Sequence, residues 1–424
     1  MIDHMEQFDV PIQRELSSFN SDKCDRIMLV TVICLILLGI LMVYSSTSVV
    51  MPGSREAKDG AGLLARFQYL KKHLFSLTAG GIFMFFAYRY NLKKLYTYSF
   101  VLIALALVLV SLVFVPGIGM RINGASRWIR FWPSTFQPSE FVKFAMIVFL
   151  ARYVSSPRFD PHSIACFIKP ILVMALFQTL FLLQPDFGSA ITLALITFTM
   201  LFLSGFRLRY LLGTAALLTP AVVVLLKTPY RLKRIIAFLD PWSDPQGAGY
   251  QLVQSYIALG SGGLAGIGLG ESKQKLSFLP YANTDFIFSL MGEELGFIGT
   301  SLLLSLFALL FYRGIRIANE KRNPFHYYLA QGLTCLIIYQ VLINVAVVTG
   351  LAPTKGLPLP FISYGGSAVF INMLAVGFLL NLSKRYKPAI ETGHASDDVI
   401  KRKKAKIMIY GRIGKRDGRY GHGF

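Results

Sequence analysis

Asp285 stands directly before the strongly apolar run Phe286-Ile287-Phe288, which sets a carboxylate where water gives way to lipid. Two roles suit it there: capping the helix that follows, or moving a proton or binding an ion. Residue preference alone leaves both open. Upstream, Ser261-Gly262-Gly263 leads through Gly266, Gly268 and Gly270, a glycine density that makes the backbone turn or approach something closely. The passage from Tyr250 to Gly299 is the long polar, glycine-rich stretch between apolar segments, and the rest of the chain reads as scaffold around it.

Other charges fall where hydrocarbon should exclude them. Glu140 and Lys143 are three apart in QPSEFVKFAMIVFLA, so they share one face of a helix whose first turn suits Pro138. They are either a buried pair or part of a substrate or ion path. Asp186, in LLQPDFGSA, either starts a helix or serves such a path. Arg121, Arg127 and Arg130 are interleaved with Trp128 and Trp132, aromatics that suit interfacial anchoring beside arginines that suit phosphate. In TGLAPTKGLPLPFISYGGSAVFIN, Pro353, Pro358 and Pro360 forbid a continuous helix, and irregular backbone at membrane depth lines a cavity. Gly365 and Gly366 then open onto a helix start whose amides form an anion cradle, with Lys355 as a nearby positive charge.

The elements that position these residues follow from composition. Of 424 residues, 54% are hydrophobic and 15% charged, too apolar for a water-soluble core of this length. The reading is an all-α polytopic membrane protein. Apolar runs at roughly 27–50, 74–88, 96–115, 138–154, 165–183, 187–204, 209–227, 286–312, 326–349 and 365–382 give ten transmembrane helices. The first is too long, and its polar lead too extended, for a cleaved signal. Residues 1–26 form an N-terminal segment, 27–383 the membrane domain and 384–424 a basic tail, with a large extracytoplasmic loop, 228–285, between helices seven and eight. Twelve of the 43 basic residues lie after Leu382, and the loops on that side are the denser in lysine and arginine, so both termini are expected in the cytoplasm. The tail is expected to be drawn to anionic membrane lipids. Cys24, Cys34, Cys166 and Cys335 follow no metal or redox spacing, the histidines form no cluster, and no motif for nucleotide or nucleic acid is present.

Taken in order, NGASRWI, QPSEFVK, QPDFGSA, YQLVQSYIALGSGGLAGIGLG, LPYANTDFIF, MGEELG and PTKGLPLPFISYGGS resemble the SEDS family of shape, elongation, division and sporulation proteins. The likeness covers roughly residues 26–385, and the lysine of PTKG and the basic termini are closer to the division and sporulation branches than to the elongation branch. It implies a ten-helix glycosyltransferase of the bacterial inner membrane that polymerises lipid II into peptidoglycan strands at the division septum. A class B penicillin-binding protein and other division proteins are the implied partners. Asp285 matches the family's proposed catalytic carboxylate, Glu140 and Lys143 its QPSE-x-x-K pair, and Asp186 the aspartate of its QPD motif. The chain departs at Tyr281 and Asn283, where the family commonly has Glu and His.

Making a β linkage from an α-linked sugar pyrophosphate needs a base near the acceptor hydroxyl and positive charge near the departing group. Asp285 suits the base. Arg127, Lys143, Arg231, Arg234 and Lys355 are the candidate cations, Ser363 joins the candidate substrate-binding set, and a divalent ion (magnesium or manganese) held partly by Asp285 serves equally well. Arg231 and Arg234 also suit anchoring to lipid headgroups. A lipid II flippase or other transporter would use the same intramembrane charges, but the inverted repeat usual in transporters is not evident. A structural scaffold gives no reason for those charges.

Overall fold

The computed structural model describes residues 24–47, 61–122, 125–131, 134–226, 229–275 and 279–384. Each apolar run of the sequence is a helix: α1 (Arg26–Thr47), α2 (Ala61–Arg89), α4 (Ser99–Leu112), α5 (Pro138–Val154), α6 (Ile164–Leu183), α7 (Phe187–Leu203), α8 (Leu208–Leu226), α11 (Ile287–Asn319), α12 (Pro324–Val348) and α13 (Gly366–Leu382). A short α3 (Leu92–Thr97) precedes α4. By length and composition, α1, α6, α11 and α12 suffice to cross a membrane, while α4, α7 and α13 are apolar but shorter.

Helix α5 is the hub. It is buried around its circumference, and Ala145, Met146, Ile147 and Val148 are all fully buried between α4, α7 and α12. Helix α13 runs along α2, with the Phe83 and Phe370 rings 4.3 Å apart. The approach depends on Gly377, where a Cβ would come 2.4 Å from the Met84 carbonyl oxygen.

The all-α membrane reading holds, and the structure adds two details. A small antiparallel sheet lies between α4 and α5: β1 (Gly119–Ile122), β2 (Ala125–Phe131) and β3 (Ser134–Phe136), with Gly119 opposite Ile129 and Ile129 opposite Phe136. Strand alternation explains it, because Ala125, Arg127 and Ile129 share one face and the two apolar members are buried. Arg127 is thereby turned inward. The long segment between α8 and α11 also holds regular structure: α9 (Pro229–Leu239), a 3₁₀ turn at Pro241–Ser243 and α10 (Tyr250–Gly262). Helix α10 buries Leu252, Val253 and Ala258, and its Ser255 hydroxyl donates to the Val348 carbonyl at 2.7 Å.

The glycine run has a definite task. Helix α11 breaks at Gly296, whose φ of 65° releases main-chain groups from the helical ladder. The run supplies replacements: Ile267 N donates to Glu293 O (3.0 Å) and Gly268 N to Glu294 O (3.2 Å), while Phe297 N and Ile298 N donate to Gly263 O (2.9 Å) and Leu264 O (3.1 Å). Such proximity leaves no space for side chains. A Cβ at Gly262 would lie 1.9 Å from Gly292 O, and one at Gly266 2.2 Å from Glu294 O. The carboxylates of MGEELG complete the clamp. Glu293 accepts from Lys273 N (3.1 Å), Gln274 N (3.4 Å) and the Ser272 hydroxyl, and Glu294 accepts from the Ser45 hydroxyl (2.6 Å) and faces Lys275 Nζ at 3.6 Å.

Gly266 has a φ of 82° as well as the backbone contact, so Gly266→Ala is expected to lower stability by about 2 kcal/mol or more. Gly81→Ala, at a helical site with open space around it, is expected to be neutral or slightly stabilising. Thermal unfolding of the purified protein in detergent checks the contrast.

Candidate active site

Asp285 is held by two turns of chain rather than by a helix end. Residues 281–286 fold tightly, with Thr284 N and Phe286 N donating to Tyr281 O at 3.0 and 3.3 Å. The N-cap of α11 is Phe286, and no side chain caps that helix. The capping role open to Asp285 in the sequence is therefore not the one its carboxylate takes.

The second turn is the proline-rich strap between α12 and α13, which is non-helical as its prolines require. The strap is stitched to the turn at three places. Tyr364 N donates to Asn283 O at 2.9 Å, the Ser363 hydroxyl donates to Thr284 O at 2.5 Å, and Asn344 Nδ2, on α12, donates both to Asp285 O (2.8 Å) and to Leu357 O (2.7 Å). Ser363 also accepts from Leu359 N at 2.7 Å and is fully buried, so its hydroxyl works inside the fold. Gly356 lies against the carboxylate: a Cβ there would come 2.8 Å from Asp285 Oδ2.

Asp186 sits at the start of α7 and takes the helix-starting role read from the sequence. Its carboxylate caps the helix by accepting from Ser189 N (3.3 Å), accepts also from Gln137 Nε2 (3.1 Å) and the Ser139 hydroxyl (3.2 Å), and lies 4.0 Å from Arg127 Nη1. Arg127 is fixed further by donating to the carbonyls of Gln184 (3.3 Å) and Pro185. Arg234, exposed on α9, donates to the Thr354 carbonyl at 3.3 Å, next to the half-buried Lys355. Arg231 lies on the same helix; its side chain, like Trp132, falls outside the described residues. Arg121 and Arg130 are exposed.

Asp285 keeps a partial opening to solvent, yet most of its surroundings are protein. Desolvation raises its pKa to about 7, against the opposing pull of Arg127 and Arg234. Burial likewise lowers Lys355 to about 8, with Asp186 working the other way. The site thus joins a poised carboxylate to positive charge from β2, α9 and the strap. Among the described residues no three His, Cys, Asp or Glu side chains gather as a metal cage. A divalent ion at Asp285 would complete its coordination with substrate oxygens and water.

Glu140 and Lys143 lie elsewhere, inside the bundle. Lys143 Nζ is 2.7 Å from Glu140 Oε1, with both side chains buried, so each neutralises the other. Gln340 Nε2 donates to Glu140 Oε2 at 3.2 Å, and Asn372 Nδ2 to Gln340 Oε1 at 2.8 Å. Sequence reasoning missed Gln340, Asn344, Gly356 and Asn372. The available signal was a pair of amides one turn apart in the apolar run of α12.

Residues 25–387 match the FtsW, RodA and SpoVE family model, described as cell cycle protein. A relative from Trichlorobacter lovleyi named probable peptidoglycan glycosyltransferase FtsW is 42% identical over 377 residues, covering 88% of this chain and 97% of its own. Stage V sporulation protein E of Bacillus subtilis is 39% identical over 362 residues, 85% of this chain and 97% of its own. Among solved structures, a chain from a peptidoglycan synthase complex that coordinates polymerization and crosslinking aligns with a TM-score of 0.70 at 28% identity, over 86% of this chain and 98% of its own. Rod shape determining protein RodA of Thermus thermophilus aligns with a TM-score of 0.63 at 25% identity, over 87% and 100%.

A reaction that needs Asp285 ionised and Lys355 charged should speed up as pH rises through about 7 and slow down above about 8. Lys355→Arg keeps its charge far into the alkaline range, so it is expected to move the upper limb up by at least about one pH unit and leave the lower limb in place. Initial rates across pH 6–10 check this.

Proposed function

The chain belongs to the FtsW, RodA and SpoVE family of cell-cycle proteins, and on that premise we propose that it is a peptidoglycan glycosyltransferase that polymerises lipid II, with Asp285 as its general base. The observation that carries the reading is the carboxylate itself: free of capping duty, in contact with Gly356 and raised to about 7 beside Arg127 and Arg234.

An acceptor sugar hydroxyl attacks the anomeric carbon of the donor from the face opposite the pyrophosphate. Its oxygen forms the new β bond as the bond to the pyrophosphate oxygen breaks, and the electron pair leaves with that group. Asp285 takes the hydroxyl proton, and a base with a pKa near the working pH suits this transfer. Arg127, Arg234 and Lys355 meet the charge that develops on the leaving group. Arg127 is held on three sides and Lys355 lies on a strap tied to Asp285, so little reorganisation accompanies the reaction.

In this reading both termini are cytoplasmic, the site opens to the outer face, and the enzyme works at the septum. Its strands are crosslinked by a class B penicillin-binding protein within an assembly of division proteins. The likeness to a peptidoglycan synthase complex supports that partnership. The pairing of Glu140 with Lys143 occupies both of those charges inside the bundle, which favours polymerisation over transport.

Asp285→Asn preserves the shape of the side chain and removes the base. It is expected to reduce glycan polymerisation by about 10²-fold or more at unchanged abundance and partner binding. Stability moves the other way. A carboxyl whose pKa is raised on folding loses stability as pH rises from its ordinary value through about 7, so at pH 8 the Asn variant should be at least as stable, with a gain of up to about 4 kcal/mol. Polymerisation assays with lipid II, paired with thermal unfolding at pH 8, test both. Near-normal polymer would remove Asp285 from the mechanism.

A further inference from the structure

Helix α12 runs between the buried Glu140–Lys143 pair and Asp285, and two of its side chains one turn apart serve the two sites. Gln340 donates to Glu140, and Asn344 donates to the main chain of Asp285. Their direction is fixed by chemistry. An ionised Glu140 only accepts, so Gln340 must present its nitrogen there and its oxygen to Asn372. Asn344 faces two carbonyls, so its nitrogen must point toward them, and its buried oxygen has no hydrogen-bond partner among the described residues.

The two carbonyls that Asn344 joins belong to the two segments that build the site. Asp285 O ends the turn that carries the carboxylate, and Leu357 O lies two residues beyond Lys355 on the strap, directly after Gly356. One amide, 2% exposed, therefore sets the spacing between the carboxylate and the strap that carries Lys355. We propose that Asn344 is the positioning residue of Asp285, clamping its main chain to the strap, and that Gln340 ties the same helix face to the buried charge pair.

The inference rests on the reading of Asp285 as the base and adds how that base is held. The carboxylate touches Gly356 on the strap and feels Arg127 from β2 and Arg234 from α9, while Lys355 on the strap feels Asp186 at the start of α7. Loosening the clamp lets the strap withdraw and water reach the carboxylate, which then becomes the stronger acid. A displacement of about 1 Å is enough to cost on the order of 10²-fold in rate.

The test uses the full chain with its penicillin-binding partner and lipid II, comparing Asn344→Ala, Asn344→Leu and Asn344→Gln. Ala and Leu should each lower kcat by about 10- to 100-fold with KM changed less than about twofold, and should move the acid limb of the pH profile to lower pH. Gln, which keeps a donor on a longer arm, should recover part of the rate. Combining Asn344→Ala with Gly356→Ala should cost less than the product of the single losses, because both displace the same carboxylate. Variants that lose only yield or stability, with kcat per folded molecule and acid limb unchanged, would overturn the proposal, as would independent losses in the double variant. If Asp285→Asn is inactive while the Asn344 variants keep normal kcat and pH profile, the positioning role alone fails. If Asp285→Asn is active, the base and its positioning residue fail together.

Discussion

Backbone that leaves a helix at membrane depth must find partners inside the protein for every amide and carbonyl it frees. This chain meets that constraint twice near Asp285. The break at Gly296 is answered by the glycine run, which brings main chain against main chain, and the strap after α12 is answered by Asn344, Ser363 and the turn before α11. The two repairs fix the ends of the segment 285–296 that opens α11 and carries the carboxylate at its start. Rigidity at the site is thus a by-product of satisfying hydrogen bonds.

The same constraint sorts the acidic residues by what surrounds them. Glu293 and Glu294 are buried and occupied by backbone amides, hydroxyls and Lys275, so they stabilise the fold. Glu140 is paired with Lys143, and Asp186 accepts from three donors while facing Arg127. Asp285 differs in having cations near it without a close ion pair among the described residues, so burial dominates and its affinity for a proton rises. Perturbed carboxylates cluster at functional sites.

Much of this was legible in the sequence. The ten helices were, because twenty or so apolar residues have few alternatives in lipid, and so were Asp285, Asp186 and the Glu140–Lys143 pair, because charge beside apolar runs stands out. The sheet was not, since its strands are only three to seven residues long and its arginines obscured the alternation. Helix α10 was hidden by the glycines that follow it, although Leu252, Val253 and Ala258 give it a buried apolar face. The capping role for Asp285 looked natural from residue preference. It gave way because the tight turn from Tyr281 places Phe286 at the cap instead. Asn344 and Gln340 escaped notice because neutral amides barely alter the hydropathy of a run, and only a three-dimensional view shows which carbonyls they join.

We propose that one carboxylate and the cations facing it from β2, α9 and the strap form the centre where the sugar bond is made. The most direct measurement is a cryo-electron microscopy structure of the protein bound to a lipid II analogue whose anomeric oxygen is replaced by a group that cannot leave. The expected complex has an acceptor hydroxyl within about 3 Å of the Asp285 carboxylate and the pyrophosphate against Arg127 and Lys355. Sugars and pyrophosphate bound away from Asp285, for instance deep in the bundle beside Glu140 and Lys143, would contradict it.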